Sequence, residues 1–246
     1  MTPGSAVSST TAATSLGRVL IAGGTGLVGR EAINACLRDP GVSHVRALLR
    51  RASSLDAVLG PLVAQAPALA SAQRARFEAM QVDFQRLDRT PQAFRVDTVF
   101  CSLGTTIRQA GSQEAFRRVD FEAPLQIARL AHAQGARRFL LVSALGASSS
   151  SRVFYNRVKG ELEDAVSAIG FEQLIIARPS LLDGDRAESR PAEHLGLMLG
   201  KALGLLIPES HRPVHVSLVA KALLRAAAEG GAGRRVLTNA QMRAMR

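Results

Sequence analysis

The chain has 246 residues, 47% of them hydrophobic, enough to bury the core of one large domain or two small ones. A formal charge of +11 raises nucleic acid as a partner, yet the basic residues are scattered, only Lys159, Lys201 and Lys221 are lysine, and no Trp and a single Tyr leave little to stack bases, so nucleic acid is not expected. Cys36 and Cys101 lie too far apart for zinc-like spacing, which excludes a disulfide framework and a metal site as expectations, and no stretch approaches the ~18 apolar residues of a membrane span.

Residues 1–15 (MTPGSAVSSTTAATS) have no basic start and no useful apolar stretch, so they read as a flexible tail and the protein is expected to be cytoplasmic. The first predicted strand, 18–23, runs straight into glycines and then into a helical pattern over 27–38 (RVLIAGGTGLVGR at 18–30). In a βαβ unit the first turn must be tight, its backbone must approach a pyrophosphate, and the next helix must pack closely on the strand. Gly23, Gly26 and Gly29 answer those three demands, and the stretch Gly23, Thr25, Gly26, Leu27, Val28, Gly29 would present helix N-terminal N–H groups to the phosphates.

The second strand, 44–49, ends in Arg50-Arg51, and no acid appears before Asp56. A carboxylate there would hold a ribose 2′-hydroxyl, whereas a guanidinium grips a 2′-phosphate with paired hydrogen bonds. NADP(H) is therefore expected over NAD(H), with Arg50 as the contact and Arg51 stacking on adenine; two solvated surface arginines are the plain alternative.

Residues 52–76 are Ala-rich and read weakly as a helix or a helix plus loop. Further strands are expected at 79–83, 96–101, 138–143, 173–178 and 234–238, and further helices at 112–134 (broken near Pro124), 152–169 and 216–229. In 152–169 the residues Val158, Leu162, Ala165, Val166 and Ile169 form an apolar stripe. Strands alternating with helices mean an α/β doubly wound Rossmann fold, a central parallel sheet of about seven strands with helices on both faces, in one domain over 16–246.

Tyr155 and Lys159 are four apart on a predicted helix and so share a face. A phenol titrates near pH ~10 in isolation. A neighbouring ammonium favours the phenolate, so this pair can give a proton to, or take one from, a carbonyl or alcohol oxygen at the nicotinamide. Lys159 could also hold the nicotinamide ribose.

The glycine turn, the Tyr155/Lys159 pair and the order of elements resemble the short-chain dehydrogenase/reductases. The segments RALLRR (46–51), Asp83-Phe84, CSLGTTIRQAG (101–111), FRRVDFEAPLQIARLA (116–131), FYNRVKGELE (154–163) and ARPSLLDGDRAESRPAE (177–193) resemble more narrowly the atypical branch typified by Tat-interacting-protein-type oxidoreductases. The resemblance implies that Asp83 and Phe84 lie by the adenine and that Ser102, Leu103 and Gly104 line the middle of the cofactor. It places Thr105 at the ribose or phosphate, and Pro179 and Ser180 at the nicotinamide. It also implies a hydroxyl after the fifth strand to orient the carbonyl; the usual register falls on Ala144, with Ser143 as substitute and Ser148 a distant second.

The substrate side is expected over 180–213, where Arg186, Glu188, Arg190, Glu193 and His194 would bind a polar substrate or pin the loop by mutual ion pairs. All five histidines are expected to be structural. By analogy with relatives, the helices around 112–134 and 152–169 would form a homodimer interface. Two functions compete: an NADP(H)-dependent reductase or dehydrogenase of a small carbonyl or alcohol, and an NADP(H)-binding redox-sensing or scaffold protein with little turnover. A sugar-nucleotide epimerase or dehydratase is a third reading, for which the chain is short.

Overall fold

The computed structural model describes residues 14–60, 68–184 and 208–245. Its strands are β1 (Gly17–Ala22), β2 (Val42–Leu49), β3 (Phe77–Gln81), β4 (Thr98–Cys101), β5 (Arg138–Val142), β6 (Gln173–Arg178), β7 (Leu182–Asp183), β8 (Val214–His215) and β9 (Gly233–Thr238). Seven of them form one parallel sheet in the order β3-β2-β1-β4-β5-β6-β9, and β7 and β8 make a small parallel pair beside it. All seven strands read from the sequence are there, β6 with the expected bounds and the others within two residues at either end; the β7–β8 pair was not foreseen, being too short for any periodicity to show.

The order reverses between β1 and β4, and in open α/β sheets ligands bind at the strands' carboxyl ends at such a point. Alternation along the strands feeds a separate core on each face. Val19, Ile21, Phe100, Leu140 and Val142 face one; Leu20, Ala22, Val99, Cys101, Phe139 and Leu141 face the other.

The helices follow: α1 (Leu27–Arg38), α2 (Leu55–Leu59), α3 (Ser71–Arg74), α4 (Ile107–Ala110), α5 (Gln113–Arg117), α6 (Ala123–Ala133), α7 (Phe154–Ser167), α8 (Val216–Ala228) and α9 (Asn239–Ala244). Helices α1 and α8 cover the first core, α6 and α7 the second. The stretch 52–76 resolves into α2 and α3, with 61–67 outside the described residues.

The helix expected to break near Pro124 does not break. Helix α5 passes through a π-helical stretch, Arg118–Glu122, into α6 with helical dihedrals throughout. Proline has no N–H to give the carbonyl four residues back, here that of Asp120, and the wide turn just upstream absorbs the mismatch. On α7, Val158, Leu162 and Val166 are fully buried, each worth about 1.5–3 kcal/mol relative to exposure. That stripe fixes which way Tyr155 and Lys159 face.

Candidate functional site

The glycine turn closes as β1 hands over to α1. Gly23 has φ +88, and a Cβ there would lie 2.7 Å from the carbonyl carbon and oxygen of Ser102 at the end of β4. A Cβ on Gly29 would lie 2.1 Å from the Gly23 carbonyl oxygen, so only glycine lets the first turn of α1 sit on the loop that precedes it. Gly26 donates its N–H to Gly23 O at 2.9 Å and occupies the cap of α1 with no capping side chain. The first N–H groups of α1 are thus left for a ligand, and the helix dipole favours an anion there. Leu27, Val28 and Gly29 form that first turn; Val28 and Gly29 are buried by it.

In front of the turn opens a cleft of about 1050 Å³. Gly23, Thr25 and Gly26 form its floor, Arg50, Arg51 and Phe84 one end, and Ser102, Leu103, Gly104 and Thr105 the wall after β4. The Ser102 hydroxyl donates to Ala22 O at 3.1 Å, tying that wall to the turn. The guanidinium groups of Arg50 and Arg51 are exposed at the cleft and have no hydrogen-bond or ionic partner among the described residues. Asp83 accepts the Gln85 N–H at 2.9 Å through its carboxylate, and its neighbours Phe84 and Gln85 line the cleft.

Glycine cradle and unpartnered cations together fit a dinucleotide whose pyrophosphate lies on the α1 N-terminus. Behind Gly104 lies the next feature. A Cβ on Gly104 would come within 3.4 Å of Asp120 Oδ1 and 3.6 Å of Lys159 Nζ. These two atoms form an ion pair at 2.7 Å, their side chains 0% and 4% exposed, and the Thr105 N–H donates to the second Asp120 oxygen at 2.8 Å.

Burial disfavours the Lys159 ammonium, but the Asp120 carboxylate outweighs it and holds Lys159 above the ordinary lysine range. Burial pushes the Asp120 carboxyl up, against the pull of Lys159 and the Thr105 N–H. Tyr155 stands one helical turn before Lys159, half-buried, its ring 5.6 Å from that of Phe116 and 6.0 Å from Lys159 Nζ.

Ser143 is turned elsewhere. It follows β5 on the face that meets α7, and its hydroxyl donates to Glu163 Oε1 at 2.6 Å. Glu163 is 1% exposed and also receives Arg178 Nη2 at 2.5 Å and Arg234 Nη2 at 3.0 Å. A hydroxyl locked in that cluster does not orient a substrate carbonyl, which corrects the expectation for Ser143; Ser148 is exposed and bonds Ser150. Pro179 is buried, and Ser180 donates its N–H to Asn239 Oδ1 at 3.0 Å and its hydroxyl to Arg212 O at 2.6 Å.

Most of the expected substrate region, with Arg186, Glu188, Arg190, Glu193 and His194, lies outside the described residues. His211 bonds Ser210, and His215 caps α8 by accepting the Ser217 N–H. No metal-binding group exists among the described residues, and none of their helices is long and apolar enough to cross a membrane.

Arg118 and Gln109, which line the cleft, Asp120, which pairs with Lys159 behind it, and the buried ties Glu163 and Asn239 were not foreseen from the sequence. Asp120 had left a signal. It falls in the buried series Phe116, Asp120, Ala123, Ile127, Ala131, a lone acid on an apolar stripe, and such an acid needs a buried cation. Arg118 and Gln109 line the cleft from the far wall and carry no such mark.

Residues 23–195 match the sequence profile described as NAD(P)H-binding. The chain is 32% identical to Protein fmp52, mitochondrial, of Emericella nidulans over 189 residues, 77% of each chain. It is 47% identical to Protein HTATIP2 of Rattus norvegicus over 115 residues, 46% of this chain and 47% of the rat protein. Among solved structures, MoeE5 in complex with UDP-glucose and NAD superposes with a TM-score of 0.63 at 16% identity, covering 90% of this chain and 76% of that one. Further fungal relatives share the mitochondrial name, which overturns the expectation of a cytoplasmic location. The chain belongs to the NAD(P)H-binding family, in the atypical branch of the short-chain dehydrogenase/reductases that its motifs resemble.

Proposed function

We propose that this protein is an NADP(H)-dependent oxidoreductase that moves hydride between the cofactor and a small carbonyl or alcohol. The observation that carries the proposal is the meeting of two features at Gly104, whose front lines the dinucleotide cleft and whose back rests on Lys159, one helical turn from Tyr155. When bound, the nicotinamide supplies or accepts the hydride. The chain's own residues do the rest. Gly23, Gly26 and the first turn of α1 seat the pyrophosphate, and Arg50 and Arg51 receive the 2′-phosphate and adenine end. Tyr155 gives a proton to the substrate oxygen during reduction, or takes one during oxidation, with the Lys159 charge stabilising the phenolate. With Ser143 committed to Glu163, the Tyr155 hydroxyl alone polarises the carbonyl.

Two variants test this. Arg50→Ala should weaken NADPH binding by about tenfold or more, the worth of one charge-assisted contact, and leave NADH affinity unchanged. Tyr155→Phe should abolish turnover in a carbonyl screen and leave NADPH affinity intact. Equal losses for both nucleotides would refute the NADP preference, and normal turnover without the hydroxyl would refute the mechanism.

A further inference from the structure

The seat of the pyrophosphate at the glycine turn is made of N–H groups alone, and Arg50 and Arg51 serve the far end of the cofactor. A third cation lines the same cleft. We propose that Arg118 is the pyrophosphate-binding cation of this site, its guanidinium closing on the phosphates from the side opposite the N-terminus of α1. The inference rests on the reading that lays a dinucleotide in the cleft, and it holds whether or not the adenosine carries a 2′-phosphate.

Three observations converge on Arg118. The first is its freedom: the side chain is exposed, lines the cleft, and has no hydrogen-bond or ionic partner among the described residues. Glu122, four residues on and also exposed, does not pair with it. The second is the way the residues around it are committed. Arg117 pairs with Glu161 at 2.6 Å and lies over the Phe121 ring, and Asp120 turns inward to Lys159. Arg118 and Val119 are what the π-helical stretch presents to the cleft.

The third is position. In the sheet β1 stands between β2 and β4, so the loop after β2, with Arg50 and Arg51, and the wall after β4 flank the glycine turn on opposite sides. Arg118 belongs to the β4 side, because the Thr105 N–H donates at 2.8 Å to Asp120, two residues along from it. Arg50 and Arg51 thus answer the adenosine end and Arg118 the stretch in front of the turn.

The electrostatics favour this use. No Asp or Glu lines the cleft, so its three arginines meet no competing carboxylate there. A pyrophosphate is a dianion, and the N–H groups and dipole of α1 offer it only partial charge. A guanidinium offers a full charge and two parallel N–H groups that match two phosphate oxygens. Arg118 has no ion pair to give up when it turns to them.

Fluorescence titrations with NADPH and NADH test the assignment. Arg118→Ala should raise both dissociation constants by a similar factor, about tenfold, the worth of one charge-assisted contact. The loss should shrink as salt is added, since exposed charges are screened. Competition by 2′,5′-ADP, which lacks the pyrophosphate linkage, should suffer less. Arg118→Lys, which keeps the charge without the fork, should recover part of the affinity. Should Arg118→Ala melt at lower urea than the parent, Arg118→Gln carries the same expectation. Unchanged affinities would leave Arg118 a solvated side chain, a loss confined to NADPH would make it a 2′-phosphate contact, and an equal loss for 2′,5′-ADP would move it to the adenosine; each overturns the proposal. A parent that favours NADH counts against the NADP(H) reading alone, which the Arg50→Ala titration decides separately.

Discussion

A single methyl group at Gly29 is the sharpest probe of the dinucleotide cradle. The added Cβ would sit 2.1 Å from Gly23 O, 2.8 Å from Gly23 C and 2.9 Å from Gly24 Cα, and all three are backbone atoms that no rotamer change can move aside. To restore ordinary contact, the first turn of α1 must retreat by about an ångström, and over-packing of that kind costs about 1–3 kcal/mol. The same retreat pulls the N–H groups of Leu27, Val28 and Gly29 away from the phosphates, each such bond to an anion being worth about 1.5–3 kcal/mol. Gly29→Ala should therefore lower the urea midpoint and raise the NADPH dissociation constant at least about tenfold. Gly26→Ala is the companion: its Cβ meets only Gly23 O at 3.2 Å, so the apoprotein should stay near parental stability, and any loss of NADPH binding reflects blocked approach of the phosphate. Paired urea melts and NADPH fluorescence titrations separate the two. A Gly29→Ala protein with parental stability and affinity would refute the steric account of the turn.

Other positions are open to equally direct checks. Asn239 is 1% exposed, accepts the Ser180 N–H and donates to Glu209 O and Arg212 O at 3.2 and 2.8 Å, so Asn239→Ala should cost about 1–3 kcal/mol and speed amide exchange over 208–213; unchanged exchange would show the tie to be idle. Burial pushes the Glu78 carboxyl up, but hydrogen bonds from Arg46 and His44 outweigh it and hold the group below its ordinary range. A depressed carboxylate stabilises the fold above its unfolded-state value, ~4.3, and loses that contribution as pH falls through the native value. Glu78→Gln should accordingly flatten the acid side of a Tm-against-pH curve, and a parallel slope would count against it. Burial pushes both thiols up, Cys36 far and Cys101 to about 11, so alkylating reagents at neutral pH should label neither until the chain unfolds.

What could be read from the chain was whatever the local pattern carried. Helix α1 has the bounds its glycines and apolar period dictate, and the seven sheet strands appear because each is a short apolar run flanked by polar or glycine residues. One assignment that failed depends on partners distant in sequence. Ser143 stands where a strand ends near the site, but its direction is decided by Glu163, 20 residues on, and by arginines on β6 and β9. The location was read from the want of a clear signal in the first fifteen residues, and relatives named mitochondrial overturn it. Pro124 was seen as a break because proline ends regular helices; the π-helical detour is a cooperative property of the whole α5–α6 run.

Glu163 has a consequence for how the molecule comes into being. Its carboxylate joins α7 to the end of β5, to β6 and, through Arg234, to β9, which takes the far edge of the sheet beside β6. During synthesis the dinucleotide half, from β1 to β4, can collapse early, because every strand it needs has already emerged. The helix that bears Tyr155 and Lys159 waits longer: until residue 234 leaves the ribosome, a buried acid lacks one of its two cations. Nascent chains would thus complete the glycine cradle before they fasten the helix that carries Tyr155 and Lys159.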